Sequence, residues 1–294
     1  MAAYDTVPIW HVHAYTQEVH RLVAQRATLL RGAVRVAGNV RGKTYNFERL
    51  GASDLAAISS RHAATTILDP VHSRRRATMS DRGGAIILDK QDEVKMIVTP
   101  ENDYASNHAD SINRFYDDLI VSALGGSATA VAADDTTSSV ALPAAQIIAE
   151  AGTAGLTYAK VNAAVKILNK NNVPYEDRYA AISPDGLEDL LNTTQATSSD
   201  FTDLKAIQSG RLQGTWMGFK WIVSTRLPFT TPKRTCYFWQ KRAVGLAIAM
   251  DKYTSVSIRH DLNDATQIYA AVTAGAVRIE EELVVAVEID EVTG

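Results

Sequence analysis

The chain reads as an α+β protein, and three observations carry that reading. The first is a long strand-and-turn excursion over 34–82, in which Tyr45 and Phe47 alternate with Thr44, Asn46 and Glu48, and Arg76-Ala-Thr-Met-Ser80 alternates in the same way. The second is a single long helical pattern over 102–124, where Ala105, Ala109, Ile112, Tyr116, Leu119 and Ala123 recur in steps of four and three. The third is a C-terminal half rich in short apolar runs suited to strands, among them 221–223, 256–258, 267–272 and 283–289.

Taken in order, residues 1–33 predict an arm that becomes helical, with Tyr15, Val19, Leu22, Val23, Leu29 and Leu30 as its apolar positions. The excursion over 34–82 predicts two strands enclosing a polar tip, with Gly83-Gly84 at its base. Such a hairpin is too narrow to bury its own apolar face, and isolated hairpins are marginal in water, so it needs another surface to lie on. Residues 85–88 and 94–98 are strand candidates, and Pro100 breaks regular structure before Asn102 or Asp103 caps the long helix. At 1.5 Å per residue that helix is a rod of ~35 Å. Gly125-Gly126 ends it. The small polar run 127–139 reads as a surface connector. Thr157 caps a second helix carrying Val161, Ala164, Val165 and Leu168 on one face. Residues 179–182 predict a strand, and Ser183-Pro184 opens a short helix with serine at the cap and proline at the first helical position. Gly210, Gly214 and Gly218 punctuate a turn-rich stretch.

Composition narrows the function. Hydrophobic residues make up 46%, ordinary for a folded protein, and the net charge of −3 implies no global attraction to nucleic acid or membrane. No uninterrupted apolar stretch approaches the ~20 residues that span a bilayer, and the N-terminus lacks the pattern of a secretion signal. The lone Cys236 excludes an intrachain disulfide and sits in a strand-like aromatic run, Arg234-Thr-Cys-Tyr-Phe-Trp239, where a buried inert thiol is expected.

The charge is nonetheless unevenly laid out. Over 31–82 there are ten Lys/Arg against four acids, and over 264–294 there are seven acids against Arg278 alone. Complementary patches that meet, within one molecule or between copies, are one reading, and two solvated faces are the other.

A search for chemistry returns little. The sequence holds no phosphate loop, dinucleotide fingerprint or nucleophile elbow. His11-x-His13 is the best metal-like pair but lacks a third ligand of convincing spacing, with His20 on a helical pattern. A soluble metal-dependent hydrolase built on His11 and His13 is the alternative from a different class. The expectation is no catalytic, cofactor or metal site, and no enzyme.

The order Glu48-Arg-Leu-Gly51, Pro70-Val-His-Ser-Arg-Arg-Arg-Ala-Thr-Met-Ser80, Ala85-Ile-Ile-Leu-Asp89, Asp92 and the helix ending Ala123-Leu-Gly-Gly126 resembles the major capsid proteins of tailed double-stranded-DNA phages. So do Val173-Pro-Tyr-Glu-Asp-Arg178, Gly218-Phe-Lys-Trp-Ile-Val223, Ala243-Val-Gly-Leu-Ala247 and Gly275-Ala-Val-Arg-Ile-Glu-Glu-Glu-Leu-Val-Val285. The resemblance covers nearly the whole chain in order, and no single motif is diagnostic. It implies an N-terminal arm (1–33), an extension loop (34–82), a peripheral domain (83–150 and 255–294) with a spine helix at about 102–124, and an axial domain (151–254) with a central sheet. It further implies pentamers and hexamers in an icosahedral shell around DNA, assembled in the host cytoplasm without a membrane. A separate scaffolding protein, a portal and a cement protein are implied partners. An encapsulin-like nanocompartment shell is the alternative within the same fold. With the loop lying over a neighbour, Arg74, Arg75 and Arg76 are expected to meet Glu280, Glu281 and Glu282 of another subunit, with Arg41 and Lys43 as further intersubunit candidates.

Overall fold

In the computed structural model, the described residues are 24–58, 60–62, 64–91, 101–132, 134–149, 155–192 and 215–291. Among them the long pattern folds as helix α1 (Glu101–Gly125), and two shorter helices, α2 (Tyr158–Lys170) and α3 (Pro184–Leu191), follow it. Three single-turn 3-10 helices and fifteen strands are described as well, the strands being β1 (Arg35–Ala37), β2 (Thr44–Leu50), β3 (His72–Thr78), β4 (Ser80–Leu88), β5 (Ala128–Val131), β6 (Thr137–Val140), β7 (Ile147–Ile148), β8 (Arg178–Ile182), β9 (Thr215–Trp216), β10 (Phe219–Val223), β11 (Phe229–Thr230), β12 (Lys233–Gln240), β13 (Val244–Arg259), β14 (Ala265–Arg278) and β15 (Val284–Asp290). The α+β class stands.

The strands form three sheets. One runs β1-β13-β14-β4 and carries α1 against β13 and β14. A second runs β7-β15-β12-β8-β10-β9, with β11 paired to β12. The third is β2-β3-β5-β6, built from the two limbs of the excursion and the run after α1. A single core joins α1, α2 and the first two sheets, through side chains such as Tyr116, Ile120, Leu168, Phe238, Trp239, Val244 and Val285. The strands β12 and β15 lie inside this core, which is why Cys236-Tyr-Phe-Trp239 and Val284-Val-Ala-Val287 are continuous apolar runs with every residue buried.

Several local signals act as expected. Thr157 Oγ1 accepts from the Lys160 N–H at 3.4 Å, and Ser183 Oγ from the Gly186 N–H at 3.0 Å, capping α2 and α3. The turn between β9 and β10 has φ of 52° at Met217 and 81° at Gly218, both left-handed, as a tight hairpin requires. Cys236 is fully buried in β12.

Other expectations are corrected. Leu29 and Leu30 do not lie on an arm helix: residues 24–30 are non-helical, a single tight turn covers Arg31–Ala33, and Leu30 is buried while Leu29 is exposed. Tyr15, Val19, Leu22 and Val23, the strand candidate 94–98, Pro100, Gly210 and Gly214 lie outside the described residues. Helix α1 starts at Glu101, so Asn102 and Asp103 occupy its first turn and do not cap it. Its buried stripe is Ile112, Tyr116, Ile120, Val121 and Leu124, with Asn113 and Asp117 on the same face. The stripe is displaced toward polar positions because Asp117 and Asn113 bond backbone of residues 26–30 in place of water. The small polar run after α1 is not a connector but the hairpin β5–β6, which β3 recruits as a template. Gly83 and Gly84 lie within β4, opposite Ala271 and Ala270.

Sheet membership also crosses the expected domain limits. Strand β13 starts at Val244 and belongs with β14 and β4, whereas β7 and β15 join β8, β10 and β12.

Candidate assembly interface

The excursion has two parts of opposite character. Its base is the ladder β2–β3, in register from Thr44 opposite Thr78 to Leu50 opposite His72. The alternation seen in the sequence turns Phe47 and Ala77 inward, onto Val40, Ala128, Ala247, Val277 and Ile279. Phe47 lies against the bare backbone of Gly245, where an added Cβ would overlap its ring, and Tyr45 meets Phe47 edge-on at 4.9 Å. This satellite core holds the base on its own subunit.

Beyond Gly51, whose N–H bonds the Val71 carbonyl at 2.8 Å, the described residues of the tip form no strand or helix. Leu55, Ile58 and Ile67 are 92%, 88% and 90% exposed. Leu50 and Val71 at its neck are exposed too. The tip is therefore not the polar loop expected from the sequence. Its apolar side chains face away from their own subunit, and such a cluster marks a surface for contact.

Within the base, Arg75 points inward and Glu281 sits in the turn between β14 and β15. One guanidinium nitrogen, Arg75 Nη2, donates to both Glu281 oxygens at 2.9 and 3.0 Å, and both residues are buried, at 6% and 5% exposure. Arg49 Nη1 stands 3.7 Å and Arg278 Nε 3.9 Å from the same carboxylate. Arg278 in turn donates to the carbonyls of Leu124, Gly126 and Val140, at 3.0, 2.6 and 2.9 Å. Burial holds its guanidinium below the ordinary value. A cation on the last carbonyls of α1 also suits the negative end of the helix dipole. One carboxylate thus joins the loop base, the end of the spine helix and the turn before β15.

The expected meeting of Arg74, Arg75 and Arg76 with Glu280, Glu281 and Glu282 of another subunit is corrected for its central pair. Arg75 and Glu281 meet within one chain, because alternation along β3 aims Arg75 at the core and the β14–β15 turn brings Glu281 beneath it. Its neighbours also have partners at home. Arg74 faces Glu48 across the ladder at 3.4 Å, and Arg76 reaches Asn46 and Asp135, each at 3.2 Å. Arg41 and Lys43 are exposed at the entry to β2, Glu282 is exposed, and Glu280 is half-buried. Arg49 and Arg278 were missed. The available signal was that Arg278 is the lone cation amid seven acids, a position that makes a paired, buried role natural.

Among the described residues, no group of His, Cys, Asp and Glu could hold a metal ion, and no helix is long and apolar enough to cross a membrane. His11, His13 and His20 lie outside the described residues.

Residues 7–291 match the family of phage capsid proteins. The chain belongs to that family. It is a structural protein of the phage capsid. No curated protein matches the chain. Solved structures share the fold at low identity. The capsid of cyanophage P-SCSP1u matches with a TM-score of 0.74 at 19% identity, over 96% of this chain and 93% of that one. The cyanophage Pam1 capsid asymmetric unit gives 0.70 at 13%, over 100% of both chains. The capsid of Ralstonia phage GP4 gives 0.72 at 9%, over 100% and 98%. The fold is thus shared at identities of 9% to 19%.

Proposed function

We propose that this capsid protein assembles with copies of itself, as hexamers and pentamers, into an icosahedral shell, and that the tip of its loop is a principal intersubunit contact. The exposure of Leu55, Ile58 and Ile67 on a base pinned to its own subunit carries this reading. Fully burying one such side chain contributes ~1.5–3 kcal/mol, whereas an exposed ion pair contributes ~0–1 kcal/mol. Three aliphatic side chains per copy therefore outweigh the charges around them. Arg41, Lys43 and Glu282 are proposed as rim contacts, with the outer faces of Arg74, Arg76 and Glu280.

The reading places assembly in the host cytoplasm, with double-stranded DNA inside and a scaffolding protein, a portal and a cement protein as partners. Deleting 52–65 tests it. The shortened subunit should keep the melting temperature of the full chain, since the tip adds nothing to either core, yet give no regular particles by electron microscopy. Normal particles from the deletion would refute the role of the tip.

A further inference from the structure

Resting on the reading of this chain as a shell subunit, we infer that an open cleft beside β1 binds the phosphodiester backbone of nucleic acid. The cleft, of about 770 Å³, lies between the segment leading into β1 and the turn after β12, and is lined by Thr28, Arg31, Arg35, Val36, Lys241 and Arg242 among others. Four of its lining residues are cations and none is an acid.

The cations are positioned by the fold. Arg31 is held by Asp251 at 2.9 Å and lies over the Tyr116 ring, with 5.1 Å to the centroid. Arg35 leans over Phe47, 5.7 Å from the ring centroid. Gln240 Oε1 accepts from the Arg242 N–H at 2.7 Å and fixes the turn, leaving the exposed Arg242 side chain free to swing over the cleft. Lys241 faces one nearby carboxylate, Asp177, whose hydrogen bond goes to Lys220.

Among the described residues, three of the four cleft cations lack the carboxylate partner that Arg31 and several cations elsewhere in the chain have. Lys220, Arg226, Arg234, Arg259, Arg74 and Arg76 each have a carboxylate within 4.0 Å, on Asp177, Asp118, Glu291, Asp261, Glu48 and Asp135. Among the described residues, Arg35, Lys241 and Arg242 show no such ion pair. A polymer of phosphates supplies unpaired anions at close spacing, and guanidinium groups bind phosphate through two parallel hydrogen bonds.

The test uses the full-length subunit and a short fluorescein-labelled DNA duplex, followed by anisotropy between roughly 50 and 200 mM salt. The double variant Lys241→Gln with Arg242→Gln should lose more than about tenfold in affinity at 0.1 M salt and lower the salt slope by about 1.8, two phosphate contacts at ~0.9 each. Exchanging the two, Lys241→Arg with Arg242→Lys, should restore binding. Lys166→Gln with Lys170→Gln, on the exposed side of α2, removes the same charge and should change affinity much less. Equal losses in both Gln variants would overturn the assignment in favour of diffuse charge, as would a wild-type subunit that fails to bind. Displacement of the DNA by polyglutamate of equal charge at equal concentration would assign the cleft to an acidic protein and overturn the nucleic-acid class. The cleft variant should still form particles, so a failure here and a failure of the shell reading are separately visible.

Discussion

Replacing Glu281 by Gln is the sharpest perturbation available, because it keeps the side-chain shape and removes only the charge that three guanidinium groups share. In the native subunit Arg75 donates to both Glu281 oxygens, with Arg49 and Arg278 within 4.0 Å. The substitution leaves Arg75 buried with no counter-charge. Removing one partner of a buried pair costs ~3–5 kcal/mol, and the retained amide oxygen places this case near the lower end, at about 3 kcal/mol. For a chain of this size that corresponds to a fall of about 6 °C in Tm. Glu48→Gln serves as the control. Its pair with Arg74 is exposed, at 47% and 71%, and should cost ~0–1 kcal/mol. The assay is calorimetry on the unassembled subunit, for Glu281→Gln, Arg75→Gln and the double variant. The double should be little worse than either single, giving a coupling of about 2 kcal/mol. A Glu281→Gln subunit that melts within about 1 °C of wild type would refute the buried hub. If that subunit also failed to assemble, the pair would belong between copies after all.

Two further outcomes follow from the same geometry. Gly245→Ala drives a methyl group into the Phe47 ring, so it should destabilise the subunit by ~1–3 kcal/mol in a chemical denaturation series, and Phe47→Leu in the same chain should recover part of the loss. Burial pushes the Cys236 thiol up to about 12, so no thiolate forms at pH 8 in the folded protein; maleimide labelling should track the unfolding rate, and rapid labelling of native subunit would contradict the packing of β12.

How much was legible in the sequence differs by element. Helix α1 announces itself because local periodicity suffices: its limits fall within a residue of the expected 102–124. Its buried stripe was less legible. Asp117 and Asn113 look solvent-facing until residues 26–30 fold back and offer backbone groups to satisfy them. The hairpin β5–β6 was invisible for a related reason. A run rich in Ala with Asp134-Asp135 at its centre has weak strand preference, and β3 supplies the open edge that makes it a strand.

The sequence by itself determined that this is an α+β chain with a spine helix, a long basic loop and an acidic C-terminal segment, because composition, periodicity and capping are short-range properties. That Arg75 and Glu281, 206 residues apart, form a buried pair was decided by tertiary structure alone. Charge counts register that two segments are complementary. Whether they meet inside one subunit or between two depends on which face of β3 is turned toward the core, and that is set when the satellite cluster around Phe47 and Ala77 closes on Val277 and Ile279.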